Sequence, residues 1–291
     1  MTREAAGPST LGTLLTELTA NLEQAGISPA RDEARDIVAA VLDVPRFWPS
    51  TNRDALIDAT AVDEARQAAA ARGRGAPFAY AVGRAAFRHL TLAVDERVLI
   101  PRQETEVLVD LVLQAEEGGR GTVVDVGTGS GAIALALATE GRFDRVIATD
   151  VSRDALDVAG RNMAFLRDDL VAPVELVHGS LLAPVRDLEV RTIVSNPPYI
   201  AYSEADDLPH SVRDWEPPLA LLSADEGMAV TREIIRAAVA VLEAGGLLAL
   251  EVDTRRASLV AEAAATNGAY RDVAVHLDLT GRERFVLARR R

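Results

Sequence analysis

The chain has 291 residues, a formal net charge of −13, 48% apolar and 4% aromatic residues, and no cysteine. That length suits one large domain or a large and a small one, and the missing thiols exclude disulfide frameworks, cysteine nucleophiles and Cys-ligated zinc. The negative charge argues against a free-standing binder of long nucleic acid, which presents a basic face. There is no uncharged apolar run of about 18 residues and no basic-then-apolar leader; a cytoplasmic protein without a membrane partner is expected.

Residues 1–75 carry helical periodicity. Leu11, Leu14, Leu15, Leu18 and Leu22 repeat at three and four. Ser28 followed by Pro29 predicts an N-cap with proline at the first helical position, and Ile37, Val38, Val41 and Leu42 line the face of the helix that follows. A third helix is predicted at about 54–71. These form a small helical domain, either a cap or a substrate-recognition module. Residues 76–100 predict a connecting hairpin with Leu90, Leu92 and Val94 on one face. Beyond Pro101 a helix returns; Glu104 and Glu106 charge its first turn, and Arg102 is free to pair with a carboxylate or to touch a ligand.

From 121 onward strand and helix alternate. Strands are predicted at 122–127, 145–150, 174–179, 191–196, 246–253, 270–277 and 283–289, and helices at 130–140, 153–166, 227–243 and 255–267. This order predicts an α/β domain over 101–291 with a mainly parallel sheet. The final RERFVLARRR is expected to be a last strand with a solvated basic tail.

TVVDVGTGSGAIALALA, from Thr122 to Ala138, runs from an apolar strand through a glycine turn into an apolar helix. Gly127, Gly129 and Gly131 permit a tight turn and close backbone approach to a ligand. Asp150, ending the next strand, is placed to bond ribose hydroxyls. Gly127-x-Gly129-x-x-Ala132 also satisfies a dinucleotide fingerprint, so the loop alone leaves a nicotinamide cofactor and S-adenosylmethionine both open.

VSNPPYI, residues 194–200, tilts that choice toward the methyl donor. Two prolines cannot continue a ladder because neither has an N–H, so the strand stops at Asn196 and the segment behind it is stiff. Such a bend sets an amide side chain, backbone carbonyls and the Tyr199 ring at a strand end. The lone pair of a carboxamide nitrogen is delocalised, so it must be oriented and its developing charge stabilised. The Asn196 side-chain oxygen and the Pro197 carbonyl are candidates to accept its two N–H groups. Tyr199 is either a flat face beside the acceptor or a core aromatic. A general base is not required. His89, His178, His210 and His276 lack metal-ligand spacing, and no metal is expected. DWEPP at 214–218 is expected to form a rigid lid, with Trp215 either a packing anchor or a substrate contact.

NPPY after DVGTGSG resembles the amino-methyltransferases that use S-adenosylmethionine. RVLIPRQETEVLVD at 97–110 resembles the LIPRPETE-LV stretch of the HemK/PrmC family of release factor glutamine methyltransferases. PFAYAVGRAAF, VRDWEPPLALL, LEAGGLLALEV and DLTGRERFVLAR are similar to the same family. The likeness covers about residues 75–290. It implies a class I S-adenosylmethionine-dependent methyltransferase, Rossmann-like, with a mostly parallel seven-stranded sheet. The implied activity is methylation of the glutamine side-chain amide in the Gly-Gly-Gln motif of class 1 peptide chain release factors; separately, a monomer is expected. It also implies that Asp125, Val126, Gly127, Thr128, Gly129, Gly131, Asp150, Ser180, Leu181 and Asn196 hold the donor. Phe87, Asn196, Pro197, Pro198 and Tyr199 would hold the glutamine. Gln103 replaces a usual proline, Ser180 a usual Asp, and EVDTRRA at 251–257 departs from the usual EIG start, which leaves the protein substrate open. The alternatives are another protein glutamine, an adenine or guanine amino group of nucleic acid, and a nucleoside-binding module without catalysis.

Overall fold

The computed structural model describes residues 9–291. They fall into two compact units: one runs to Arg84 and takes in His210–Trp215, the other holds Ala85–Pro209 and Glu216–Arg291.

In the first unit, helix α1 (Leu11–Gln24) starts at Thr10, whose hydroxyl accepts from the Thr13 N–H, and buries all five predicted leucines. Helix α2 (Ala30–Leu42) corrects the expected cap: Pro29, not Ser28, is the N-cap residue, in extended geometry and with no side-chain cap bond. Helix α3 (Ala59–Gly73) begins later than expected, because the Asp58 carboxylate caps it by accepting from Ala61 N–H at 3.0 Å. Its Ala61, Ala65, Ala68 and Ala69 are small enough to bring α3 against the leucines of α1. The segment expected to be a connecting hairpin holds a short helix, Phe78–Val82, and then the hairpin Arg84–Phe87/Leu90–Ala93. Leu90, Leu92 and Val94 are buried.

The second unit is a seven-stranded sheet. In chain order its strands are β1 (Thr122–Val126), β2 (Arg145–Asp150), β3 (Val174–His178), β4 (Val190–Ser195), β5 (Leu242–Glu251), β6 (Tyr270–Leu277) and β7 (Glu283–Arg290). In space they run β6-β7-β5-β4-β1-β2-β3. The pairs β3–β2, β2–β1, β1–β4 and β4–β5 are parallel, and β7 is antiparallel to both neighbours. Alternate residues feed two cores: Leu247 and Ala249 of β5 face one, Leu248 and Leu250 the other. A strand covered on both faces reads as a continuous apolar run. Helices α4 (Gln103–Ala115) and α5 (Ala132–Glu140) cover the first face. Helix α6 (Arg153–Phe165) follows β2; α7 (Ala229–Val241) and α8 (Ala257–Thr266) cover the second face. Strand β5 begins at Leu242, earlier than expected, because a register shift between Leu242 and Leu247 absorbs the glycine pair, with Gly245 at φ +80°.

The basic tail is tied to the fold more than expected, although Arg291 is exposed. Arg289 pairs with the buried Glu116 and donates to Ala115 O at 2.7 Å, Arg290 donates to Leu242 O at 2.6 Å, and Arg291 to Tyr270 O at 2.9 Å. A carboxylate as buried as Glu116 needs such charge-assisted partners, and Arg191 is its second one.

Candidate active site

The sheet order reverses between β1 and β4, and loops leaving the carboxyl ends of the strands part there to leave a crevice. A cavity of about 370 Å³ lies at these ends, lined among others by Gly127 and Gly129 after β1, Asp150 on β2, Ser180 and Leu181 after β3, and Asn196 and Pro198 after β4.

On one side the backbone shapes the site. Gly127 N–H and Thr128 N–H both donate to Thr149 O, at 2.8 and 3.0 Å, so the loop stays tied to β2. Gly127 and Gly129 sit at φ +73° and +56°, and a Cβ on either would meet no atom within 4 Å. Their glycine character thus serves the left-handed turn and an open approach to the backbone. Asp150 fixes the same loop: its Oδ2 accepts from Gly129 N–H and its Oδ1 from Ser152 N–H, each at 2.9 Å. Leu181 holds φ +49°, a strained position for a leucine, and its carbonyl accepts from Thr149 Oγ1 at 3.0 Å.

Asp125 belongs to the frame of this loop, not to the cavity wall. Its Oδ2 accepts from Thr128 Oγ1 at 2.7 Å and from Ala134 N–H at 3.1 Å, while the buried Oδ1 has no partner. Burial pushes its carboxyl up to about 7; the two hydrogen bonds oppose that, and the Asp150 charge adds to it. Val126 and Thr128 are buried, and Gly131 is the N-cap of α5.

On the other side, side chains shape the site. Ser195 Oγ donates to Val126 O at 2.6 Å and so ties the end of β4 to the start of the glycine loop. The half-buried Asn196 donates from Nδ2 to Thr105 Oγ1 at 3.1 Å, and Thr105 donates to Glu251 Oε2 at 2.7 Å. Glu251 is 1% exposed. Burial pushes its carboxyl up to about 7 against the Thr105 bond and the Arg284 and Arg102 charges, with Glu104 pushing the same way as burial. Tyr199 is half-buried; burial, and then the Glu251 charge, push its phenol up. Gly227, at φ +83°, passes the Tyr199 carbonyl so closely that a Cβ would lie 2.3 Å from that oxygen. Arg256 bridges Glu204 and Asp253 at 2.8 and 3.2 Å, holding the segment behind Tyr199.

Of the residues picked from sequence, Gly127, Gly129, Asp150, Ser180, Leu181, Asn196 and Pro198 line one cavity. Pro197 is buried beside them. Phe87, expected near the acceptor, is fully buried in the core with Leu90 and Leu92. Arg102 pairs with the buried Glu216 of DWEPP. Glu106 accepts from Arg88 N–H at 3.0 Å, and Trp215 belongs to the helical unit.

Three contributors were missed. Glu251 stands as a lone acid inside the apolar LLALEV, a signal that could have found it. Thr105 had no signal beyond RQETE. Asn162 is buried on α6 and clamps the hairpin to the glycine loop: its Oδ1 accepts from Ala93 N–H at 2.7 Å, and its Nδ2 donates to Ala93 O and Ser130 O at 3.0 and 2.8 Å.

The residues present fit a nucleoside. Open backbone at two left-handed glycines, a carboxylate at the end of the second strand and apolar walls from Val98, Leu99 and Leu219 meet in one cleft. Asn196 meets that cleft with its side-chain nitrogen already engaged.

Comparison with known proteins places the family and the fold. The PrmC N-terminal domain family matches residues 13–83, and the methyltransferase small domain family matches residues 103–210. A release factor glutamine methyltransferase of Moorella thermoacetica is 39% identical over 97% of this chain and 99% of its own length. Another, of Mycolicibacterium smegmatis, is 38% identical over 96% and 98%. Among solved structures, a methyltransferase from Pyrococcus furiosus shares the fold with a TM-score of 0.53 at 20% identity, over 70% of this chain and 90% of that one.

Proposed function

The chain belongs to the release factor glutamine methyltransferase family, and from that premise we propose that it methylates the side-chain amide nitrogen of the glutamine in the Gly-Gly-Gln motif of a class 1 peptide chain release factor. The methyl donor is S-adenosylmethionine, which supplies an electrophilic methyl group on a sulfonium. Gly127, Gly129, Asp150, Ser180 and Leu181 would hold it. One observation carries the reading: Asn196 lines the same cavity as the glycine loop and Asp150 while its Nδ2 is occupied by Thr105, which leaves Oδ1 to accept from a carboxamide.

Asn196 Oδ1 accepts one N–H of the glutamine and the Pro197 carbonyl accepts the other. Two acceptors off the amide plane raise electron density on nitrogen and stabilise the positive charge that develops there. Holding the nitrogen in line supplies the remainder of the rate. The N-methylated amide cation loses its proton to water, so no side chain need act as a strong base. A neutral Asn is suited to this better than a carboxylate, whose desolvation would oppose substrate entry. The helical domain over residues 1–75 recognises the protein substrate. The enzyme works as a monomer in the cytoplasm; among the described residues no helix is long and apolar enough to cross a membrane.

Incubation with methyl-labelled donor and a purified class 1 release factor, with tRNA and DNA as separate acceptors, tests the reading. Label on the Gly-Gly-Gln glutamine supports it. Label confined to nucleic acid, or none on any acceptor despite donor binding, overturns it.

A further inference from the structure

We propose that Thr105 and Glu251 are positioning residues for methyl transfer: through one shared hydroxyl they dictate which way the Asn196 amide faces. The inference rests on the reading of Asn196 as the acceptor for the substrate carboxamide.

An asparagine amide is nearly symmetric in shape but opposite in chemistry at its two ends. If Asn196 turned over, it would present an NH2 group to the NH2 group of the glutamine, and donor would face donor. Nothing in the NPPY bend itself prevents that rotation. The chain of bonds behind it does. An ionised Glu251 offers only lone pairs, so the Thr105 hydroxyl must give its single proton to Glu251 Oε2, 2.7 Å away. The Thr105 oxygen then has only lone pairs left, and its other partner, 3.1 Å away on Asn196, must be the donor Nδ2. Oδ1 is thereby turned away from Thr105 and toward an incoming amide. Thr105 is 4% and Glu251 1% exposed, so no bulk water competes for these bonds.

The relay is also conditional. A protonated Glu251 can donate to Thr105, which frees the threonine proton for Asn196 Oδ1 and admits the reversed amide. The charged groups acting on Glu251 are Arg284 and Arg102, which favour its ionised form, and Glu104, which disfavours it. The Tyr199 phenol also lies within its field, and Asp253 acts on that phenol in turn. Burial outweighs the arginines, and Glu251 titrates at about 7. Turnover at saturating donor and release factor therefore rises with pH through about 7.

The test measures turnover from about pH 5.5 to 8.5 alongside donor affinity. The Thr105→Val variant keeps the shape and loses the hydroxyl; its turnover falls roughly tenfold with donor affinity unchanged. Thr105→Ser returns turnover to within about twofold of the parent, because the hydroxyl is restored. Glu251→Gln is impaired and loses the pH step, since its side chain no longer titrates. Val and Ser variants equally impaired would mean packing alone, and would overturn the proposal. So would a Glu251→Gln variant that retains the step, or a Thr105→Val variant as fast as the parent. The second readout needs no acceptor: with asparagine side chains 15N-labelled, the Asn196 amide protons shift with pH, midpoint about 7, in the parent and not in Glu251→Gln. A parent that labels no release factor sinks the functional reading. Amide protons invariant with pH sink the relay whether or not that reading stands.

Discussion

The ends of β1 and β4 lie side by side in the sheet, yet they are built by different means. The β1 end is a piece of backbone: left-handed glycines, N–H groups tied to β2, and one local carboxylate at Asp150. The β4 end is a side chain held by other side chains, with Thr105 on α4 and Glu251 on β5 distant in sequence from Asn196. Each end also buries one acid pushed up to about 7: Asp125 turned back on its own loop, and Glu251 turned toward Asn196. A donor can be gripped by a shaped loop, whereas a carboxamide needs one oxygen aimed in one direction, and aiming needs a second layer.

The largest effect expected from this contrast is at Asn196. Asn196→Ala lowers turnover by roughly a hundredfold to a thousandfold, the range for removing one preorganised polar group, while donor affinity by calorimetry stays within about twofold. A matching loss of donor affinity would merge the two ends into one function. At the β1 end, Asp150→Ala does the reverse: donor affinity falls roughly tenfold or more, through loss of a charged acceptor, and turnover at saturating donor is largely kept. Gly227→Ala sharpens the β4 side without removing a polar side chain. Its Cβ would lie 2.3 Å from the Tyr199 carbonyl, so the bend must shift; turnover falls about tenfold and donor affinity holds.

Smaller effects concern stability. Asn162→Ala leaves Ala93 and Ser130 without a shared partner and costs about 2 kcal/mol in a denaturant titration. The effect of Asp125→Asn depends on pH. A carboxyl raised from 3.8 to about 7 by folding favours the folded state below the lower value and loses that contribution as pH climbs through the higher one. The variant, compared with its parent, therefore gains melting temperature at pH 8 relative to pH 5; equal differences at both would mean that Asp125 is not buried as an acid.

The same contrast explains what could be read from the chain. The glycine loop, Asp150 and the NPPY bend are contiguous strings whose chemistry is local, and the parallel sheet followed from apolar runs of strand length separated by helical periods. Leu11 to Leu22 and the continuous apolar run of β5 placed the cores for the same reason. Thr105, Asn162 and Glu116 act across long sequence separations, so no short pattern exposes them. Phe87 was drawn to the acceptor by likeness, but an aromatic in a hairpin packed on a helix goes to the core. The terminal arginines looked solvated because their partners, the buried Glu116 of Arg289 and the carbonyls of Leu242 and Tyr270, lie far away in sequence. Glu251 is the instructive case: a single acid in an apolar strand is expensive to bury, so its presence in such a run already marks a position held for a purpose other than packing.

The most direct test is a crystal structure of the protein with S-adenosylhomocysteine and a release factor carrying its Gly-Gly-Gln loop. The account predicts the glutamine Nε2 at about 2.7–3.2 Å from Asn196 Oδ1, with Asn196 Nδ2 still on Thr105 and the nitrogen facing the sulfur across the gap a methyl group fills. A glutamine held elsewhere, or an Asn196 whose oxygen points at Thr105, would contradict it.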